Sequence, residues 1–279
     1  ALHWHPSSQN AASAGAALAN KSAKFRFYGV SAHAAGSPEK GRSALDGVEA
    51  MNMMVNMMRE HIPQEARIHY VITDGGKAPN VVPDYAEVYY YARHNTRDVV
   101  IDIFDRMVKA AEGAALGTGT TMDYEMIGGT HELLPNLTLQ KLMHDNLSKI
   151  GGIEYSTEEK IFADKIAQSL GQEKADLAMA KNVQPYMTEA RAYGSTDVGD
   201  VSWNVANINL GVTTAPKDTP WHSWAVVACG GMSIGHKGMI YASKAMSMTM
   251  LDLFENPEMV TKVKAEYLYL IHIRRCRRD

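Results

Sequence analysis

Three histidine-containing segments of this sequence combine residue types that could do chemistry. His3 and His5 are two residues apart, so on a strand both imidazoles would face the same side. His222 lies in a segment rich in Pro and Trp, and His33 comes at a predicted strand end, before a turn containing Gly and Pro. A neutral imidazole is the commonest metal ligand among side chains. Taken singly, each of these histidines is more often a packed or surface residue than a ligand.

Asn80 and Arg93 offer a second kind of chemistry, the binding of a carboxylate or an oxyanion. Asn80 lies in the segment APNVVP, and Arg93 comes near the end of the strand predicted after it. An amide donates hydrogen bonds, and a guanidinium can hold a carboxylate with two parallel ones. Donors of this kind also stabilise an oxyanion as it develops. By themselves, both residues are more often ordinary turn and surface residues.

Composition limits the classes of function. The chain has 279 residues, 46% of them hydrophobic, and a net charge of −3, which is a globular composition without the basic field that holds nucleic acid. No apolar run reaches the roughly 18 residues of a membrane span. Only 2 cysteines occur, which predicts a reducing, cytoplasmic location and excludes a disulfide framework. The length predicts about two domains.

The elements that must position these residues follow a β-α-β-β-α-β order between residues 22 and 128. Apolar residues at alternate positions predict strands, and apolar residues three and four apart predict helices. The predicted strands cover residues 23–33, 66–73, 86–94 and 121–127. The predicted helices run from 44 to about 62 and from a cap at Asn95 or Thr96 to about 117. This order is typical of a ferredoxin-like sandwich.

The flanking segments predict a partial α/β layer into which the sandwich is inserted. Residues 1–21 contain one strand, and helices are predicted at 137–150, 158–170 and 240–254, with strand-like segments at 205–212 and 226–229. The predicted domains are therefore 1–21 with 129–279, and 22–128. The tail from 268 to 279 is interpreted as a disordered or altered terminus, with a basic anchor for anionic surfaces as the less favoured alternative.

The combination of motifs resembles one family of enzymes. The segment SAHAAGSPEKGRSALDGVEAM, followed by APNVVP and a strand that carries Arg93 near its end, resembles the lid domain of the aminoacylase/carboxypeptidase-type metallopeptidases. The segments GSTDVGDVSW and TPWHS, followed by GHKGM, resemble the C-terminal catalytic part of the branch that hydrolyses p-aminobenzoyl-glutamate. The resemblance covers about residues 1–265, in the family's order.

The resemblance implies a metal-dependent amidohydrolase with an inserted dimerisation lid. It would cleave the amide bond to a terminal amino acid, with p-aminobenzoyl-glutamate as the best candidate substrate. The catalytic domain would hold two divalent ions, manganese or zinc. The partners would be a second copy bound through the lid, a possible second hydrolase subunit and a small-molecule amide, with no nucleic acid or membrane.

The same resemblance assigns roles to individual residues. His3 and His222 match metal ligands, and His33, Asn80 and Arg93 match lid residues that reach the active site, His33 and Asn80 across the dimer. Asn80 and Arg93 would bind substrate. His131 lies where the chain returns from the lid; it is a candidate for substrate binding, with a hinge role favoured over it. An acidic residue that supports the site matches either Asp197 or Asp200.

One departure from the family limits this interpretation. The family's early metal-binding motif, its bridging acid and its paired Glu general base match nothing in this sequence. The chain is therefore expected to be an incomplete part of the enzyme, inactive when isolated. Two alternatives stay open. One is a non-catalytic dimerisation or regulatory protein that keeps the lid, and the other is a hydrolase of dipeptides or N-acyl amino acids.

Overall fold

Two sheets organise the chain in a computed structural model, which describes residues 1–12, 15–189, 192 and 194–276. The strands are β1 (Leu2–Ser7), β2 (Ala19–Tyr28), β3 (Arg67–Asp74), β4 (Tyr85–His94), β5 (Thr121–Thr130) and β6 (Ile208–Thr213). The helices are α1 (Ala44–Met58), α2 (Arg97–Thr118), α3 (Leu137–Ile150), α4 (Thr157–Ser169), α5 (Val198–Ser202), α6 (Trp224–Gly230), α7 (Ser233–Glu255) and α8 (Pro257–Cys276).

The four-stranded sheet belongs to a compact unit formed by Ala17–Glu132 and Ala192–Asp200. Its antiparallel strands lie in the order β3-β4-β2-β5, which is the ferredoxin-like order, and α1 and α2 cover one face. Side chains of β4 alternate between the two faces of the sheet. The buried side chains on the face covered by the helices are Ala86, Val88, Tyr90 and Ala92. The predicted lid fold is therefore confirmed.

The first lid strand ends earlier than the sequence predicts. The expected strand runs to residue 33, whereas β2 ends at Tyr28. A Cβ atom at Gly29 would lie 1.9 Å from the carbonyl oxygen of Arg42, so only glycine fits where these two segments cross. Beyond this crossing the chain is held by the short bridges Val30–Arg42 and His33–Val81. His33 is thus a loop residue that a bridge fixes in place.

The second compact unit consists of Ala1–Ala16, Leu133–Arg191 and Val201–Asp279. Its sheet is the parallel pair β1 and β6, in which His3 lies opposite Asn209 and His5 opposite Gly211. Helices α3 and α7 contribute most of the core around this pair. Parallel strands buried by helices are typical of α/β proteins, so the predicted class is confirmed. The predicted domain limits at 22 and 128 stay a prediction.

Two sequence predictions in this unit are wrong. Residues 226–229 form part of helix α6 and not a strand, because Ala225 and Cys229 lie one helical turn apart and both are buried against Ile166 and Ala215. A short apolar run does not distinguish the two structures. Helix α8 continues to Cys276, so residues 268–276 are helical, whereas one of the two interpretations of the tail expected disorder. An altered terminus stays a prediction, and residues 277–279 lie outside the described residues.

No helix in the described part of the chain is both long and apolar enough to cross a membrane.

Candidate functional site

His33 and Asn80 lie together on an exposed loop pair at one end of the lid sheet. The backbone N–H groups of Ala35 and Gly36 donate to the His33 Nδ1 atom at 3.2 and 3.0 Å. This nitrogen is therefore the acceptor, and the ring carries its proton on Nε2, where it can be donated outwards. The backbone carbonyl of Asn80 accepts a hydrogen bond from the backbone N–H of Ala34 at 3.0 Å, which fixes the loop beside His33. The pair can present two donors to an oxygen anion.

A groove of about 550 Å³ runs beside this loop pair, on the side where α1 begins. Asp46, Lys77 and Pro79 are among the residues that line it, together with Val81 and Val82. The groove is open and mixed in polarity.

Arg93 lies near the other end of β4, on the sheet face away from the helices. Its guanidinium carbon is 5.2 Å from the ring centroid of Tyr91, so the cation rests beside an aromatic ring. The Nε atom is buried and has no hydrogen-bond partner in the part of the chain that the structure describes. A half-buried guanidinium whose buried Nε atom lacks an acceptor is suited to an anionic ligand.

The structure separates Arg93 from the His33–Asn80 pair within one chain. Asn80 comes before β4 starts at Tyr85, and Arg93 lies eight residues further along that strand. At about 3.3 Å per residue, the strand alone separates the two places by roughly 25 Å. One substrate cannot contact both groups of one chain. The expected contribution of His33 and Asn80 across a dimer stays a prediction that agrees with this spacing.

A row of polar residues crosses the sheet at the Arg93 end. Arg67 of β3, Arg93 of β4, Asn20 of β2 and Thr130 of β5 lie opposite one another in successive strand pairs. The Asn20 amide donates to the Thr130 hydroxyl at 3.2 Å. We call these residues, together with His69, the basic row.

His131 follows directly after β5 and contacts Asp200. The Asp200 Oδ1 atom lies 2.6 Å from the His131 Nδ1 atom and accepts the His131 backbone N–H at 2.8 Å. The His131 Nε2 atom contacts the guanidinium of Arg97. Asp197, by contrast, is exposed and lies near the Thr196 hydroxyl at 3.3 Å. Of the two acidic candidates, Asp200 is therefore the one that orients an imidazole.

His3, His5 and His222 belong to the other compact unit. The ring centroids of His3 and His5 are 6.3 Å apart, which agrees with two imidazoles on one strand face. His222 is exposed and has a φ angle of 63°, in the left-handed region that non-glycine residues rarely adopt. Such strain is concentrated at functional sites.

These imidazoles fit a metal site only in part. Zinc sites in catalysis use three protein ligands and an open position. Among the residues that the structure describes, no group of three or more His, Cys, Asp or Glu side chains is arranged to hold an ion. His3 and His222 could each supply a ligand, and the remaining ligands would have to come from elsewhere.

The sequence did not indicate Arg67, His69, Asn20 or Tyr91 as site residues. Each of them follows the ordinary alternation of an amphipathic strand. Only the register of the sheet shows that they surround Arg93. Tyr91 could have been suspected, because residues two apart on a strand share a face.

Comparisons with known proteins agree with the resemblance seen in the motifs. Residues 19–118 match the model of the peptidase dimerisation domain. The chain is 38% identical, over 96% of its length, to a subunit of the p-aminobenzoyl-glutamate hydrolase of Escherichia coli (strain K12), and it covers 61% of that subunit. It is 26% identical to the Xaa-Arg dipeptidase of Mus musculus, over 94% of the chain and 54% of that protein.

A solved structure shows the same fold. The aminobenzoyl-glutamate utilization protein from Klebsiella pneumoniae superposes with a TM-score of 0.53 at 16% identity, over 90% of this chain and 54% of that one. The chain thus spans between about half and three fifths of the length of the relatives it matches. The resemblance to the aminoacylase/carboxypeptidase-type metallopeptidases is confirmed.

Proposed function

From this confirmed resemblance we propose that the chain is part of a metal-dependent amidohydrolase that releases a terminal amino acid. The single observation that carries the proposal is the 38% identity to a hydrolase subunit over 96% of the chain. The name of that relative makes p-aminobenzoyl-glutamate the proposed substrate, cleaved to p-aminobenzoate and glutamate. The basic row supports it, since it offers guanidinium groups to a carboxylate.

The proposed roles follow from the geometry of the lid. Arg93 would bind the carboxylate of the amino acid being released, with its guanidinium held beside Tyr91. His33 would donate from Nε2 to the oxyanion, because its Nδ1 atom is already an acceptor. Asn80 would donate its amide to the same oxygen. Because His33 and Asn80 lie far from Arg93, they would act on the site of a partner chain.

His131 is proposed to contact substrate or to act as a hinge. Asp200 would hold its imidazole in one orientation through the bond to Nδ1. Asp197 is the less favoured candidate for that supporting role. Both His131 and Asp200 come from the compact unit that contains the lid sheet.

His3 and His222 are the proposed metal ligands of this chain. When bound, two divalent ions, manganese or zinc, would polarise the amide carbonyl and activate the attacking water. The general base and the other ligands are proposed to lie outside this chain, which would leave the isolated chain inactive. A homodimer through the lid, a possible second hydrolase subunit and a cytoplasmic location complete the proposal.

The experiment compares this chain with the protein extended upstream of Ala1. The extended protein should hydrolyse p-aminobenzoyl-glutamate in the presence of manganese or zinc, and the chain alone should not. His222→Ala in the extended protein should lower kcat/KM more than about 100-fold and reduce the bound metal, since even supporting residues of metal sites cost that much. The matched control is His61→Ala, an exposed lid histidine. Retained activity and metal content would remove His222 from the ligands.

A non-catalytic dimerisation protein is the alternative, and the match of residues 19–118 to a dimerisation domain is the observation that favours it. The coding sequence upstream of Ala1 distinguishes the two. An open reading frame with an early His-x-Asp or Cys-x-His motif and paired Glu residues supports the enzyme, whereas a start codon at that point supports the alternative.

A further inference from the structure

The outward face of the lid sheet has two halves that differ in charge balance. In the half near Tyr28, Lys24 and Arg26 both lie 3.0 Å from the Glu87 carboxylate, and Arg26 also pairs with Glu125. The positive charges of this half are therefore matched by acids within the sheet itself. This half serves as the comparison for the other half, because its charges are balanced without a bound anion.

The other half holds positive charge that the sheet does not match. Arg67 and Arg93 lie directly opposite each other in the β3–β4 pair. Like charges at opposed positions destabilise a sheet. Neither guanidinium forms an ion pair among the described residues, and Arg67 donates only to the backbone carbonyls of Gln64 and Ala66. An anion bound between the two arginines would relieve this repulsion.

The neighbours of the two arginines are also donors. His69 lies opposite Tyr91 on the same face, and Asn20 lies opposite Arg93. Burial lowers the pKa of His69, and the positive charges of Arg93, Arg59 and Arg67 lower it further. The lowered pKa of His69 therefore reflects, in part, the positive charges around it. The imidazole can donate from a ring N–H in its neutral form.

We propose that Arg67 and His69 extend Arg93 into a subsite for a second carboxylate, so that the released amino acid is dicarboxylic. Arg93 binds the terminal carboxylate, and Arg67 binds the carboxylate of the side chain. The side chains of directly opposed residues start roughly 5 Å apart, a length that the chain of a five-carbon dicarboxylate can bridge. The proposal rests on the proposed hydrolysis of p-aminobenzoyl-glutamate, and it adds the residues that hold the second carboxylate of the released amino acid.

The same charges argue against a basic released residue. A C-terminal arginine, the residue named in the Xaa-Arg dipeptidase relative, would place a third guanidinium beside Arg67 and Arg93. Like charge at short range costs binding free energy. The basic row thus distinguishes between the substrates that the relatives' names suggest.

A binding experiment on the present chain tests the subsite without hydrolysis. Glutarate, which has two carboxylates, and butyrate, which has one, are titrated while the His69 ring signals are followed by NMR. The signals are assigned with His69→Asn. Glutarate should give a saturable shift and butyrate a weaker one. Arg67→Gln should weaken glutarate binding roughly tenfold and butyrate binding less than about twofold, as expected for one charged hydrogen-bonding group.

The matched control is Arg106→Gln, which removes the same charge from α2, one of the helices that cover the opposite face of the sheet. It should leave both affinities unchanged. A circular dichroism spectrum and an unfolding curve test whether Arg67→Gln is folded. If that variant does not fold, Arg67→Lys, a milder change that keeps the positive charge, is used in its place. Equal shifts for both ligands, no saturable shift, or equal losses in the Arg67 and Arg106 variants would overturn the subsite.

Hydrolysis by the extended protein separates failure of the subsite from failure of the function. We expect Arg67→Gln to lower kcat/KM for p-aminobenzoyl-glutamate roughly tenfold and to leave that for p-aminobenzoyl-glutamine nearly unchanged. Hydrolysis without this discrimination would contradict the subsite alone. Glutarate binding without hydrolysis would contradict the amidohydrolase proposal alone.

Discussion

At the scale of single residues, Glu87 contacts several charged and polar side chains of the lid sheet. Its carboxylate accepts from the Thr73 hydroxyl at 2.8 Å and from Arg26 Nε at 3.0 Å, and it pairs with Lys24 at 3.0 Å. Burial would raise its pKa, but the hydrogen bonds from Thr73, Lys24 and Arg26 outweigh burial and hold the pKa at about 2, below the ordinary 4.5. The folded state therefore favours the ionised form.

Glu87→Gln should destabilise the protein in a pH-dependent way. Because the folded pKa is depressed, the contribution of Glu87 is fully present above pH 4.5 and is lost as the pH falls from 4.5 towards 2. We expect a loss on the order of 1 to 2 kcal/mol at pH 7, allowing for solvent screening, and a smaller loss at pH 3. Urea unfolding at both pH values measures it.

The control for Glu87 is Glu125→Gln. Glu125 also pairs with Arg26, but its side chain is 53% exposed, against 10% for Glu87. Exposed ion pairs contribute little to stability. An equal loss in both variants, or a Glu87→Gln loss independent of pH, would show that Glu87 has no special role.

At the scale of elements, the contact of α1 with the sheet depends on Gly47. A Cβ atom at this position would lie 2.5 Å from the Phe27 ring, whose side chain is fully buried. Glycine usually weakens a helix relative to alanine. Here it allows the helix to approach the strand, so its cost in propensity is offset by packing.

Gly47→Ala should therefore destabilise the lid by about 1 to 3 kcal/mol, the usual cost of overpacking a core. The same change in α2, Gly113→Ala, meets only the Met54 sulfur at 3.9 Å and should stabilise by up to about 1 kcal/mol. Thermal unfolding of both variants measures the difference. Two changes of the same sign would contradict this account of helix packing.

The methionines of α1 divide between the two sides of the helix. Met51 and Met58 are buried in the lid core, whereas Met53, Met54 and Met57 are 61%, 41% and 63% exposed. An exposed apolar stripe on a domain that matches a dimerisation domain is a reasonable contact for a second copy.

At the scale of the whole molecule, charging this stripe should prevent the homodimer proposed above. The double change Met53→Lys and Met57→Lys should convert a dimer into a monomer in sedimentation analysis, because two charges would be buried without partners. Leu251→Lys, at an exposed apolar position of α7, is the control and should keep the dimer. If the protein that carries both Met53→Lys and Met57→Lys is still a dimer, the interface lies elsewhere.

Mixed dimers test whether His33 and Asn80 act across the interface. In the extended protein, Asn80→Ala and Arg93→Gln should each be nearly inactive alone. After the two are mixed and allowed to exchange, roughly a quarter of the wild-type activity should return, because half of random dimers are mixed and each has one intact site. No recovery would contradict the proposed contribution of His33 and Asn80 across the interface.

The sequence by itself determined the identity of most elements and the order of the lid. Strands and helices differ in the period of their apolar residues, which is a local property, and the bounds of α3 and β4 follow it closely. The motifs around His33, Asn80 and His222 were also visible locally. Local pattern was insufficient for residues 226–229, where a run of this length is compatible with both a strand and a helix.

Only the tertiary structure decided which side chains meet. The opposition of Arg67 and Arg93, the place of Asn20 beside them and the choice of Asp200 as the partner of His131 depend on contacts between distant segments. The register of a sheet arises from the combined packing of all its strands, and a shift by one residue would turn the side chains of Asn20, Arg67 and Arg93 to the other face. No local pattern carries that information.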